Sequence, residues 1–153
     1  YDPAVSIIEE KMASLIVWLD AFLTNVDRTA RNTNMLTWNK ELWLIDFGAS
    51  LYFHHSWDNW QEQSLKPFVQ IKDHVLLPQA GDLEKVDEMM HQILSEEKIR
   101  WVVSLVPDSW LNNDDSKETP DEKRKVYCNF LLNRMKHSAI FVNEARHARE
   151  SLI

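Results

Sequence analysis

Apolar positions in the first part of the chain recur with helical spacing. Ile8, Met12, Leu15, Leu19 and Phe22 follow one another at steps of four, three, four and three. Ile16 and Leu23 widen the stripe, while Glu9, Glu10 and Lys11 fall mostly off it. Asp2 suits an N-cap and Pro3 the first helical position. The pattern therefore predicts a core-facing helix over residues 3–24. Residues 25–34 are polar and lose the period, which predicts a loop. Met35-Leu36-Thr37-Trp38 and Leu42-Trp43-Leu44-Ile45 are short apolar runs separated by the turn candidate Asn39-Lys40. Together they predict a β-hairpin. Its register sets Trp38 against Glu41, Leu36 against Trp43 and Asn34 against Ile45.

The rest of the chain reads as helices and connections. Residues 49–55 form a short apolar segment, and Ser56 suits the cap of a short helix through about residue 65. Pro67 punctuates, and residues 68–80 read as loop with a turn of helix. Asp82 is placed to cap a helix over residues 83–95, with Leu83, Val86, Met90 and Ile93 or Leu94 inward. Residues 99–106 predict a short apolar helix ended by Pro107, and residues 112–117 a solvated loop. Thr119-Pro120-Asp121-Glu122 is a capping box with proline at the first helical position. It opens a helix to residue 136, with Tyr127, Phe130, Leu131, Arg134 and Met135 at helical spacing. A last helix is expected over residues 138–150. Trp18, Trp101 and Trp110 are expected in the core, with Trp38 and Trp43 packing the hairpin on the helices. The expected fold class is mainly α with one small β-hairpin.

Composition narrows the function classes. At 153 residues the chain suits one domain or one lobe of a larger one. Its 44% hydrophobic and 27% charged residues are those of a globular chain. A formal net charge of −7 argues against a nucleic-acid partner. The one dense basic run, Lys123-Arg124-Lys125, lies beside Asp121 and Glu122. Cys128 is the single cysteine and sits in an apolar run, which suits a small buried hydrophobe and a reducing compartment. No apolar stretch approaches membrane-spanning length and no signal peptide opens the chain. A soluble, cytoplasmic protein with no membrane partner is the expectation. The opening Tyr1-Asp2-Pro3, with the first methionine at Met12, reads as a fragment preceded by further chain.

Two polar clusters flank the hairpin. Asp27-Arg28 is followed by Asn32 five positions after the aspartate, and Asp46-Phe47-Gly48 comes straight after the second apolar run. The predicted register sets Thr33 opposite Asp46 and Asn32 one diagonal step away, a separation of roughly 5–8 Å. An amide oxygen and a carboxylate so placed can share one Mg²⁺, whose ligands lie about 2.1 Å from the ion. Asp27 is the candidate to accept or orient an attacking hydroxyl. Arg28 is suited to orient the loop or neutralise charge, and Gly48 permits backbone angles other residues avoid. His54, His55, His74, His137, His147 and the Asp114-Asp115 pair read as structural or surface residues rather than metal ligands.

An Asp, four residues and an Asn, then an apolar strand and Asp-Phe-Gly, is the pattern of protein-kinase-like phosphotransferases. The histidine that precedes Arg-Asp in protein kinases is absent, and the order here is Asn25-Val26-Asp27-Arg28. That form resembles the HipA-like kinases, and secondarily the phosphatidylinositol 3/4-kinase group. LWLIDFGASLYFHHSW, DHVLLPQA, PDSWL, the RxxYxxFLxxR run from Arg124 to Arg134, and FVNEA resemble a HipA-like subfamily across nearly the whole chain. The resemblance implies an ATP- and Mg²⁺-dependent Ser/Thr kinase with Asp27 as catalytic base. It implies Asn32 and Asp46 as Mg²⁺ ligands contacting the nucleotide, with Leu36 or Ile45 flooring an adenine pocket. Residues 1–153 would form the helical C-terminal lobe. The N-terminal lobe, with its phosphate-covering loop and lysine, is absent from this chain, where glycine occurs only at positions 48 and 81. The isolated chain is therefore expected to be inactive, with that lobe as a partner. The acceptor is expected to be a hydroxyl on a protein. Alternatives are a small-molecule phosphotransferase and a non-catalytic helical interaction module.

Overall fold

The computed structural model describes residues 7–55, 57–112 and 117–152. The fold is mainly helical with one two-stranded antiparallel sheet among these residues. In chain order the elements are α1 (Glu10–Leu23), β1 (Met35–Trp38), β2 (Glu41–Leu44), α2 (Trp60–Ser64), α3 (Leu83–Ile93), α4 (Glu96–Ser104), α5 (Asp108–Leu111), α6 (Pro120–Lys136) and α7 (Ala139–Glu150). Short 3₁₀ turns occupy Tyr52–His55, Val69–Asp73 and Leu77–Gln79.

Helix α1 is the axis of the core. It packs against α3, α6, α7 and the Leu77–Gln79 turn. Contact from several sides explains why a single stripe misdescribes it. Ala13, Ile16, Val17, Trp18, Ala21 and Phe22 are all buried, whereas Met12, expected to face inward, is 46% exposed. Trp18 stacks on Phe22 at 5.0 Å between ring centroids and meets Phe141 of α7 edge-on at 5.6 Å. Its indole N–H is satisfied by Asp87 Oδ1 on α3 at 2.8 Å. The helix begins at Glu10, later than its predicted start. Ile7 and Ile8, both β-branched and poor helix formers, precede it outside the helix, and Ile7 is exposed. The expected cap Asp2-Pro3 lies outside the described residues, as do Ser56 and the Asp114-Asp115 pair.

At its far end α1 stops at Thr24, which takes the left-handed conformation with φ of 54°. The last carbonyls of a helix need outside donors. Arg134 of α6 supplies them, its Nε donating to the Phe22 carbonyl at 2.8 Å and its Nη2 to that of Ala21 at 2.6 Å. Helix α6 runs over the predicted residues, and its capping box is formed on both sides: the Glu122 N–H donates to Thr119 Oγ1, and the Thr119 N–H to the Glu122 carboxylate.

Other expectations need correction. Asp82 occupies the cap position of α3 but accepts no backbone hydrogen bond there, its carboxylate being taken by Lys85 at 2.6 Å. The predicted helices over 83–95 and 99–106 instead meet at Ser95, whose hydroxyl accepts from the Lys98 N–H and starts α4 three residues early. Met90 and Leu94 are partly buried against the core, and Ile93 is exposed. Trp101 and Trp110 are largely exposed, at 62% and 72%. They lie on α4 and α5, which pack on α6 at the periphery. Cys128 is buried as expected, and burial pushes its thiol pKa up.

Candidate functional site

The hairpin has the predicted register: Met35 pairs with Leu44, Leu36 with Trp43, Thr37 with Leu42 and Trp38 with Glu41. The Ile45 N–H donates to the Asn34 carbonyl at 3.0 Å and extends the pairing by one step. Asn39 and Lys40 both have positive φ, 53° and 67°, as a tight two-residue hairpin turn requires. One face of the ribbon, with Met35, Leu42 and Leu44, lies on the core. The other presents Leu36, Trp38, Trp43 and Ile45 to solvent, Trp38 being 73% exposed. The two tryptophans thus do not pack the hairpin on the helices. Strand alternation sends them to the opposite face from Met35. Leu36 and Ile45 share that open face, next to the polar clusters.

The loop before the hairpin is fastened from below. Asp20 lies inside the apolar run of α1 with no exposure. Its Oδ2 accepts from Arg28 Nε at 2.5 Å and from His74 Nε2 at 2.9 Å, and its Oδ1 from Asn25 Nδ2 at 2.9 Å. Burial pushes the Asp20 carboxyl up, but hydrogen bonds from His74 and Arg28 outweigh it, and the carboxyl is held below its ordinary pKa. The Leu76 N–H donates to His74 Nδ1 at 3.0 Å. That makes Nδ1 an acceptor and assigns the ring proton to Nε2, facing Asp20. Arg28 spans the loop: its Nη1 donates to the Asn34 carbonyl and its guanidinium lies 5.0 Å from the Phe47 ring centroid. Its own carbonyl accepts from the Val75 N–H at 3.0 Å, beside a bridge between Thr29 and His74.

With Arg28 held, Asp27 is presented at the surface side of the loop. Its Oδ2 accepts from Asn32 Nδ2 at 2.8 Å and from Asn34 Nδ2 at 3.2 Å. Its N–H donates to Asn25 Oδ1 at 3.2 Å. Asn34 also reaches the Asp46 carbonyl at 3.5 Å, so one amide ties the two polar clusters together. Asn32 and Asp46 are both exposed and make no hydrogen bond to each other. Asn32 belongs to the Asp27 side of the cluster, and Asp46 joins it through Asn34. Asp46 has φ of 51°, and its Oδ1 accepts from the Gly48 N–H at 3.3 Å. The strained residue of this turn is therefore Asp46, not Gly48, which has ordinary φ. A Cβ at position 48 would stand 3.3 Å from Asp46 Oδ1, so glycine leaves room for that carboxylate.

The donor set suits a hard cation only in company. Among the described residues no group of three or more His, Cys, Asp or Glu side chains is placed to hold a metal. One amide oxygen and one carboxylate, both open to solvent, fit an ion that takes most of its ligands from phosphates and water, as Mg²⁺ does. Asn32 engages its amide nitrogen with Asp27, so its amide oxygen is not the atom used in that contact. His54 donates to or accepts from the Tyr127 hydroxyl at 3.2 Å, and His55 is exposed, in keeping with structural and surface roles. Asn34, Asp20 and His74 are the residues of the site that the sequence pattern does not single out. Comparison of the chain with protein-family models, curated proteins and solved structures finds no match.

Proposed function

We propose that this chain carries the catalytic-loop and metal-binding half of an ATP-dependent phosphotransferase, in the manner of a HipA-like Ser/Thr kinase. The observation that supports it most is the joining of the Asp27–Asn32 pair to Asp46 through Asn34, on a loop rigidly held by a buried ion pair. Asp27 would orient the acceptor hydroxyl and take its proton. The amides of Asn32 and Asn34 fix which way its carboxylate points. Asn32 and Asp46 would hold Mg²⁺, which when bound neutralises charge on the phosphates being transferred. Arg28 lies beneath the loop and positions it without reaching substrate. The exposed Leu36 and Ile45 offer an apolar surface of the kind a nucleotide base rests on. A nucleotide-covering lobe with its lysine would complete the site.

The test is transfer of labelled γ-phosphate in the full-length gene product with Mg²⁺. Asp27→Ala should reduce transfer by roughly 10²–10⁴-fold, with melting behaviour close to that of the parent. Near-normal transfer by this variant would sink the assignment. Offering a protein acceptor against simple alcohols separates a protein kinase from a small-molecule phosphotransferase. The exposed apolar hairpin face also supports a second reading, a non-catalytic interaction module. That reading requires ATP binding to be absent, or indifferent to Mg²⁺.

A further inference from the structure

A cleft of about 570 Å³ opens on the flank of the catalytic loop, away from the hairpin face. Thr24 and Val26 form one wall, Tyr52 and Phe53 a second, and the connection from Gln63 to Gln70 a third. Its volume falls in the range of sites for small organic molecules, about 300–1,000 Å³. Phe53, Phe68 and Phe130 line it and are buried, while Tyr52 and Val69 remain exposed at the rim.

The charge of the lining is opposite to that of the chain. Lys66 and Arg134 line the cleft and no Asp or Glu does, in a chain of net charge −7. Arg134 is 1% exposed. All its hydrogen bonds go to carbonyls: those of Phe22 and Ala21, and those of Ser64 at 3.4 Å and Lys66 at 3.3 Å. Carbonyl dipoles solvate the guanidinium but do not neutralise it, and burial draws its pKa down to about 10. Four hydrogen bonds leave one of its five N–H groups open among the described residues. Lys66 is engaged by Glu62 in a solvent-screened pair that yields readily to a competing anion.

We infer that this cleft binds an organic carboxylate with an apolar body of about ring size. The carboxylate is met by the Lys66 and Arg134 side, and the body rests on Phe53, Phe68 and Val69. A carboxylate suits the lining better than a phosphate, because only two cationic side chains and no glycine line the cleft. A ligand seated there touches Val26, next to Asp27. The inference stands apart from the phosphoryl-transfer reading, since neither nucleotide nor metal enters its test.

The test is a titration of the ¹⁵N-labelled protein with 2-naphthoate, followed by amide chemical shifts. Saturable shifts are expected at Val26, Tyr52, Phe53, Val69 and Gln70. Uncharged 2-naphthamide should bind about tenfold more weakly, because it forgoes charge-assisted hydrogen bonds. Gln70→Glu introduces a carboxylate at the exposed rim without disturbing Arg134 and its carbonyls. It should weaken naphthoate by about fivefold or more and leave naphthamide unchanged. Equal binding of naphthoate and naphthamide, shifts centred on Trp38 and Trp43, no effect of Gln70→Glu, or no saturable shift at millimolar naphthoate would each overturn the inference.

Discussion

Asp20 and Arg28 form an ion pair whose side chains are both fully shielded from water. Burying such a pair is tolerated only where the remaining donors and acceptors are satisfied, here by His74, Asn25 and the Asn34 carbonyl. Removing one partner strands the other charge. Asp20→Ala or Arg28→Ala should therefore lower the unfolding free energy by about 3–5 kcal/mol in urea denaturation. A loss below about 1 kcal/mol would be that of an exposed pair and would contradict this description. Because the folded Asp20 carboxyl is held below its ordinary value, the folded state binds fewer protons there than the unfolded one. Its stabilisation is complete above the unfolded pKa, near 3.9, and is lost as pH falls through the folded value. Urea midpoints should decline below about pH 4, and Asp20→Asn should flatten that decline. Asp27, Asn32 and Asp46 stand out as candidates in the sequence because the pattern that marks them is local. Asp20 left one trace, a carboxylate inside an apolar helical run. Its partner His74 lies 54 positions away, a distance no periodicity spans.

Hairpin register and α6 boundaries were legible for the same reason: a two-residue turn and a capping box act within a few positions. The turn also carries a cost. Lys40 sits at φ of 67°, where a side chain meets the following carbonyl. Lys40→Gly should raise stability by roughly 0.5–1 kcal/mol, read as a higher thermal midpoint. A lower midpoint would show that the lysine side chain matters more than its backbone. At α6, Thr119→Ala removes the hydroxyl that accepts the Glu122 N–H and should cost about 1 kcal/mol. Trp18 was legible as a core residue, but Trp38, Trp43, Trp101 and Trp110 were not. Apolar area predicts that a Trp gains from burial, but not that α4 and α5 lie at the periphery or that strand alternation turns Trp38 and Trp43 outward. Those outcomes depend on which elements the core already occupies.

The molecule as a whole hangs three pieces on the end of α1: the adjoining Asp27 loop and, from far along the sequence, the segment from Val69 to Ala80 through His74 and α6 through Arg134. The two clusters flanking the hairpin are thereby set at one edge of a rigid helical body, with Asn34 between them. If that edge transfers phosphate, its two carboxylates have separable duties. Asn tolerates the left-handed backbone that Asp46 adopts, so Asp46→Asn removes the charge and keeps the turn. The direct measurement is the Mg²⁺ dependence of γ-phosphate transfer in the full-length gene product bearing Asp27→Ala or Asp46→Asn. Asp27→Ala should lower the maximal rate roughly 10²–10⁴-fold with the Mg²⁺ requirement unchanged. Asp46→Asn should raise the Mg²⁺ needed for half-maximal transfer by about tenfold or more. Wild-type rate and wild-type Mg²⁺ dependence in either variant would contradict these assignments.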